Sequence, residues 1–114
     1  MNWRIRGRGT RRVPGQMNKL EKDYAGYLHA LQLGGKVEWY MFDAIKLRLA
    51  DKTFYTPDFL VMQTDGVIEI HEVKGGFIED DAIVKLKVAA ATFPFRFILV
   101  QKKRAKEPFT FREM

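Results

Sequence analysis

Residues 55–76 read YTPDFLVMQTDGVIEIHEVKGG, and they place three chemistry-bearing side chains on two apolar runs. Asp58 opens the first run; Glu72 and Lys74 close the second, on either side of Val73. Strand side chains alternate between faces, so Ile68, Ile70, Glu72 and Lys74 share one face and Val73 takes the other. The Asp65-Gly66 pair between the runs is a tight-hairpin signal that folds Asp58 back toward them. Counting outward with Thr64 opposite Val67 sets Asp58 against Val73, and a single register step aligns it with Glu72 or Lys74. Charges are expensive among Phe59, Leu60, Ile70 and Val73 unless something compensates. Two neighbouring carboxylates repel, and a divalent cation resolves the repulsion. Mg²⁺ prefers oxygen, keeps several waters, and uses one or two carboxylates plus a substrate phosphate. A lysine beside that ion positions the attacking water, while the ion lowers its pKa and stabilises charge on the phosphate. The chemistry these residues could do is metal-assisted phosphodiester hydrolysis. On a solvated sheet Glu72 and Lys74 would be a surface ion pair worth up to about 1 kcal/mol, but their neighbours are too apolar for that. That Asp58 after Pro57 is only a turn residue is the lesser alternative.

The elements that must position this trio follow from periodicity. Leu20, Tyr24, Tyr27, Leu28 and Leu31 recur at spacings of three and four and predict a helix from Asn18. Asn18 with Glu21 three residues on is a capping box, and Gly34-Gly35 stops the helix. Lys36 to Phe42 and Ala44 to Leu49 read as strands that could pair as a hairpin, although no clear turn separates them. Phe54 to Gln63 reads as one strand despite Pro57, and Val67 to Lys74 as its return. Asp80 to Thr92 reads as a second helix, with Ile83, Leu86, Lys87 and Ala90 on one side, closed by Pro94. Phe95 to Gln101 is a strongly apolar buried strand, and Phe109 to Arg112 a short final one. The expected fold class is α/β, a mixed sheet flanked by helices in the order α-β-β-β-β-α-β with one more strand possible at the end.

Charge distribution points to a polyanion. Residues 1 to 12 hold Arg4, Arg6, Arg8, Arg11 and Arg12 and no acid. Setting these five aside leaves 15 basic against 14 acidic residues, so the rest of the chain is nearly neutral and the excess of the +6 net charge sits on this arm. Lys102, Lys103, Arg104 and Lys106 form a second cluster. Arginines interleaved with Gly7 and Gly9 suit a flexible phosphate-gripping arm, because each neutralised phosphate releases counterions. The expected organisation is a basic arm over residues 1–15 and one domain over residues 16–114. A chain of 114 residues with 46% hydrophobic composition can bury one core. No apolar run reaches the roughly 20 residues that span a bilayer, so no membrane partner is expected. With no cysteine there is no disulfide or thiolate zinc site, which fits a reducing cytoplasm. His29 and His71 are too few for a histidine-rich metal cluster, and His71 reads as structural or partly exposed. Phosphate-cradling, serine-elbow and zinc-protease motifs are absent. Trp39, Tyr40 and Phe42 could stack on bases, but core packing is the commoner fate of such a run.

Pro57-Asp58 followed by Glu72-Val73-Lys74 resembles the signature of the PD-(D/E)XK nuclease superfamily. The 13 intervening residues suit a strand, turn and strand. The resemblance spans residues 18 to 101 and implies a restriction-endonuclease-like core. It implies that Asp58, Glu72 and the carbonyl of Val73 bind Mg²⁺, with Mn²⁺ able to substitute, and that Lys74 activates water. It also implies an acid on the first helix, best matched by Glu21 and less well by Asp23. A polar residue of the second helix that approaches the site or the DNA would be Lys85, unless Lys85 simply pairs with Asp81. The stretch is most similar to small phage- and prophage-borne nucleases, some of which resolve Holliday junctions. The implied activity is a DNA endonuclease leaving 5′-phosphate and 3′-hydroxyl ends, in a bacterial or phage-infected cell. With little room for a base-reading module, shape recognition of branched or duplex DNA by a homodimer is the expectation. A nuclease-like DNA-binding protein that does not cut, or a nuclease acting on RNA, are the alternatives.

Overall fold

A computed structural model of the protein describes residues 15–78 and 80–114. Helix α1 spans Lys19–Leu33. Its start is the expected capping box: Glu21 N donates to Asn18 Oδ1 at 2.8 Å, and Asn18 N donates to Glu21 Oε1 at 3.0 Å. Gly34 ends it by donating to the Ala30 carbonyl. Gly35 then takes a φ of +76°, a turn conformation that glycine adopts without a side-chain penalty.

Seven strands follow: β1 (Val37–Phe42), β2 (Leu47–Ala50), β3 (Thr53–Tyr55), β4 (Phe59–Gln63), β5 (Ile68–Lys74), β6 (Arg96–Gln101) and β7 (Thr110–Glu113). Helix α2, Asp80–Thr92, lies between β5 and β6 in the chain. Five strands form one sheet in the order β1-β4-β5-β6-β7, while β2 and β3 form a separate antiparallel pair. Only β5 and β6 run parallel, as a helical crossover requires; the other neighbours are antiparallel. Among the described residues the architecture is α/β with a mixed sheet and two helices.

Both faces of the sheet are covered. Tyr24 and Leu28 of α1 pack on Phe59, Val61, Val73, Ile98 and Val100. On the other face Leu86 and Ala89 of α2, with Leu47 and Tyr55 of the small sheet, pack on Ile70, Phe97 and Leu99. Strand β5 is therefore buried on both sides from Glu69 to Val73, which explains its near-continuous apolar character.

Three expectations are corrected. The segments at 36–42 and 44–49 do not form a hairpin. Asp43 adopts a φ of +58° after β1 and donates its backbone N–H to the Asp58 carbonyl, so β1 pairs with β4 and the chain leaves the sheet before β2. The predicted strand from Phe54 to Gln63 is two strands, broken at Thr56-Pro57-Asp58, because Pro57 has no N–H for a ladder. With that break and with β7 present, the order is α-β-β-β-β-β-α-β-β. Lys87 lies on the solvent side of α2, away from its buried Leu86 and Ala89. Among the described residues no helix is long and apolar enough to cross a membrane.

Candidate active site

The Asp65-Gly66 turn sets the register. It closes with Gln63 N donating to the Val67 carbonyl and Gly66 N to the Gln63 carbonyl. Three residues, not two, therefore lie in the turn, with Gly66 left-handed at φ +88°. This extra residue shifts the pairing by one from the simplest count. Phe59 sits opposite His71, and the same register carried one step places Asp58 opposite Glu72. Asp58 and Glu72 thus reach the same end of the sheet, on the face covered by α2 and the β2–β3 pair.

Their contacts are reciprocal. Asp58 N donates to Glu72 Oε1 at 3.2 Å, and Val73 N donates to Asp58 Oδ2 at 2.8 Å. Tyr55 Oη donates to Glu72 Oε1 at 2.8 Å. Lys74 Nζ lies 3.5 Å from Glu72 Oε2, as same-face alternation predicts. Asp58 is 2% exposed and Glu72 is 1% exposed. Burying two acids side by side is unfavourable unless donors and cations offset it. Two backbone amides, a phenol and one ammonium supply part of that compensation. A hard divalent cation would supply more, and two carboxylates are a sufficient protein contribution for Mg²⁺ with water and phosphate completing its shell. Among the described residues no three His, Cys, Asp or Glu side chains group to hold an ion.

The other expected residues divide. Val73 packs its side chain into the α1 face while its backbone N–H holds Asp58. Glu21 is buried, and its Oε1 closes the capping box. The start of α1 faces the Lys74 end of β5, since a side-chain carbon at Gly75 would lie 3.9 Å from Leu20 Cδ2. Asp23 faces Lys19 at 3.5 Å on the surface. Lys85 is half-buried on α2, the helix that covers the Asp58–Glu72 face. The run from Lys102 to Lys106 comes to the same end as Lys74, because Lys102 N donates to the Lys74 carbonyl at 3.2 Å. Lys103, Arg104 and Lys106 are exposed there. Tyr40 and Phe42 pack against the α1-side core. Arg4, Arg6, Arg8, Arg11 and Arg12 lie outside the described residues.

Three features escaped the sequence. Tyr55 holds Glu72, and its only signal was a position just before the Thr-Pro-Asp break. Asp43 accepts from Gly15 N at 3.0 Å while its own N–H holds the Asp58 carbonyl. On the α1 face, Tyr24 Oη meets His71 Nδ1 at 2.6 Å, His71 Nε2 meets Glu69 Oε1 at 2.8 Å, and Arg96 Nη1 donates to Glu69 Oε2 at 2.7 Å. The bond to His71 holds the Glu69 carboxyl below its ordinary value, helped by Gln63 and by the charge of Arg96. Burial pushes the Tyr24 phenol well above its ordinary value. Tyr24 Oη and Glu69 Oε1 together engage both ring nitrogens of His71. His71 is buried within this chain of bonds; Glu69 and His71 alternating with isoleucines were the period-two signal of this second polar face.

No family model matches the chain, and a search of curated proteins finds no match.

Proposed function

We propose that the protein is a metal-dependent DNA endonuclease with a restriction-endonuclease-like core of the PD-(D/E)XK type. The observation that carries this reading is the pair of nearly inaccessible carboxylates, Glu72 held by the Asp58 amide and Asp58 by the Val73 amide, with Lys74 Nζ 3.5 Å from Glu72 Oε2. Burial of two acids for structural reasons alone is unfavourable, whereas a cation site needs them dry, close and fixed. Asp58 and Glu72 would hold Mg²⁺, or Mn²⁺ in its place, and the ion would supply Lewis-acid activation of water and charge neutralisation at the phosphate.

The chain's own residues do the rest. Val73 N–H and Tyr55 Oη fix which carboxylate oxygens turn inward. Lys74 orients the attacking water beside Glu72. The exposed basic run at 103–106, next to the end of β5, gives the phosphate backbone a place to lie without reading bases. Branched DNA is the preferred substrate of this reading, and a homodimer its working form.

Nuclease assays with Mg²⁺ test it, comparing wild type, Asp58→Asn and Lys74→Ala on duplex, single-stranded and four-way-junction DNA and on RNA. The amide oxygen introduced by Asp58→Asn can still accept from Val73 N–H, so folding is preserved. Cleavage of a junction by wild type, lowered about 10²–10⁴-fold in Lys74→Ala as for loss of a positioned acid–base group, is the expected result. Intact DNA of every form, bound but uncut by all three proteins, would make the chain a binding protein. Cleavage confined to RNA would reassign the substrate.

A further inference from the structure

On the face of the sheet opposite Asp58 and Glu72, α1 and strands β4 to β7 enclose an open cavity of about 390 Å³. Its floor is the Tyr24–His71–Glu69 chain. Both nitrogens of His71 are engaged, and both oxygens of Glu69 accept bonds, from His71, Gln63 and Arg96. A floor so satisfied is fixed in shape and has little left to offer a ligand. The ligand-facing chemistry therefore lies in the walls. Tyr27 and Phe111, 38% and 49% exposed, present ring surface to solvent with centroids 5.9 Å apart. Gln63 turns its amide nitrogen to Glu69 at 2.9 Å, which orients the side chain and leaves its carbonyl oxygen as an acceptor. Of the charged lining residues, Arg96 is taken up by Glu69 and, through its other nitrogens, by Glu113, so Lys36, exposed and without an ion pair among the described residues, is the cation left to meet an anion.

We propose that this cavity takes one unpaired nucleotide of a nucleic-acid strand. The base lies against Tyr27 and Phe111, an exocyclic amine donates to Gln63, and the phosphate meets Lys36. The walls call for a planar, amine-bearing anion, which excludes an apolar peptide and makes poor use of a bare phosphate. A base inside a duplex has neither face free, so the cavity selects bulged or single-stranded positions. The inference deepens the nucleic-acid reading above and rests on it, but it concerns a site on the other side of the sheet from the proposed catalysis.

The test uses the whole chain in EDTA, so that cleavage plays no part. A 2-aminopurine is placed in a one-nucleotide bulge, in a single strand and in a full duplex, and its fluorescence is followed on titration. Quenching and tighter binding are expected for the bulge and the single strand only. Tyr27→Ala and Phe111→Ala should each weaken bulge binding by about tenfold, as loss of a stacking platform does, with Tyr27→Phe restoring it. Lys36→Glu, a surface change, should weaken deoxyadenosine monophosphate and leave deoxyadenosine unchanged in NMR titrations. Equal affinity for bulge and duplex, indifference to the Tyr27 and Phe111 variants, or inorganic phosphate shifting the same resonances as the nucleotide would each overturn the proposal. Failure of cleavage with nucleotide binding intact would remove the nuclease reading alone; cleavage with no binding here would remove this site alone.

Discussion

Asp58 and Glu72 hold each other in place through the backbone: the amide of Asp58 donates to the Glu72 carboxylate, and the amide after Glu72 donates to the Asp58 carboxylate. Neither side chain can be moved without disturbing the strand that carries the other. This mutual fixation is the kind of rigid support that a metal or catalytic centre requires.

Mg²⁺ should stabilise the protein. A ligand that binds only the folded state adds about 2.7 kcal/mol when present at 100 times its dissociation constant. Thermal unfolding with increasing Mg²⁺ should raise the midpoint of wild type and leave Asp58→Asn flat. Equal responses of the two proteins would move the ion elsewhere.

Removing the Tyr55 hydroxyl should loosen the site from beneath. Tyr55 is fully buried and donates to Glu72. Tyr55→Phe strips a buried acceptor of one donor at a cost of about 1–3 kcal/mol, readable as a lower urea midpoint at unchanged slope. An unaltered midpoint would show that the bond contributes nothing net.

Acid stability should report on Glu69. Its folded carboxyl is held below the ordinary 4.5, chiefly by His71. The contribution is fully present above the unfolded value and is lost as pH falls through the lower folded one, because the unfolded chain then takes up protons first. Urea unfolding at a series of pH values should therefore show wild type losing stability below about 4.5 and Glu69→Gln with a shallower slope there. Parallel curves would refute the assignment.

Salt dependence should locate the phosphate contacts. Each neutralised phosphate adds about 0.9 to the slope of log affinity against log salt. Lys103→Glu with Arg104→Glu should weaken duplex binding uniformly across sequences and reduce that slope by about 2. A slope that does not change would take the 102–106 run off the DNA path.

Much of the site was legible because it is written locally. Alternation alone put Glu72 beside Lys74 and turned Val73 away, and a short turn was enough to bring Asp58 within one step of its partner. The capping box at Asn18 and Glu21 was equally local. What stayed hidden depends on contacts between distant segments. The non-hairpin path after Phe42 turns on the left-handed Asp43 and its bond to Asp58, 15 positions away in sequence. The Tyr24–His71 bond joins residues 47 apart, and no pattern within either segment announces it. The one-residue shift in register came from a three-residue turn that an Asp-Gly pair alone does not distinguish from a two-residue one.

Strand β5 carries Glu72 and Lys74 on one side and Glu69, His71 and Val73 on the other, and it is buried from Glu69 to Val73. A slip by one position would exchange these two sets of groups wholesale, exposing each to a partner layer built for its opposite. Such a strand tolerates neither insertion nor deletion along its length, so substitutions are borne best on the solvent side of α2, which touches neither polar face.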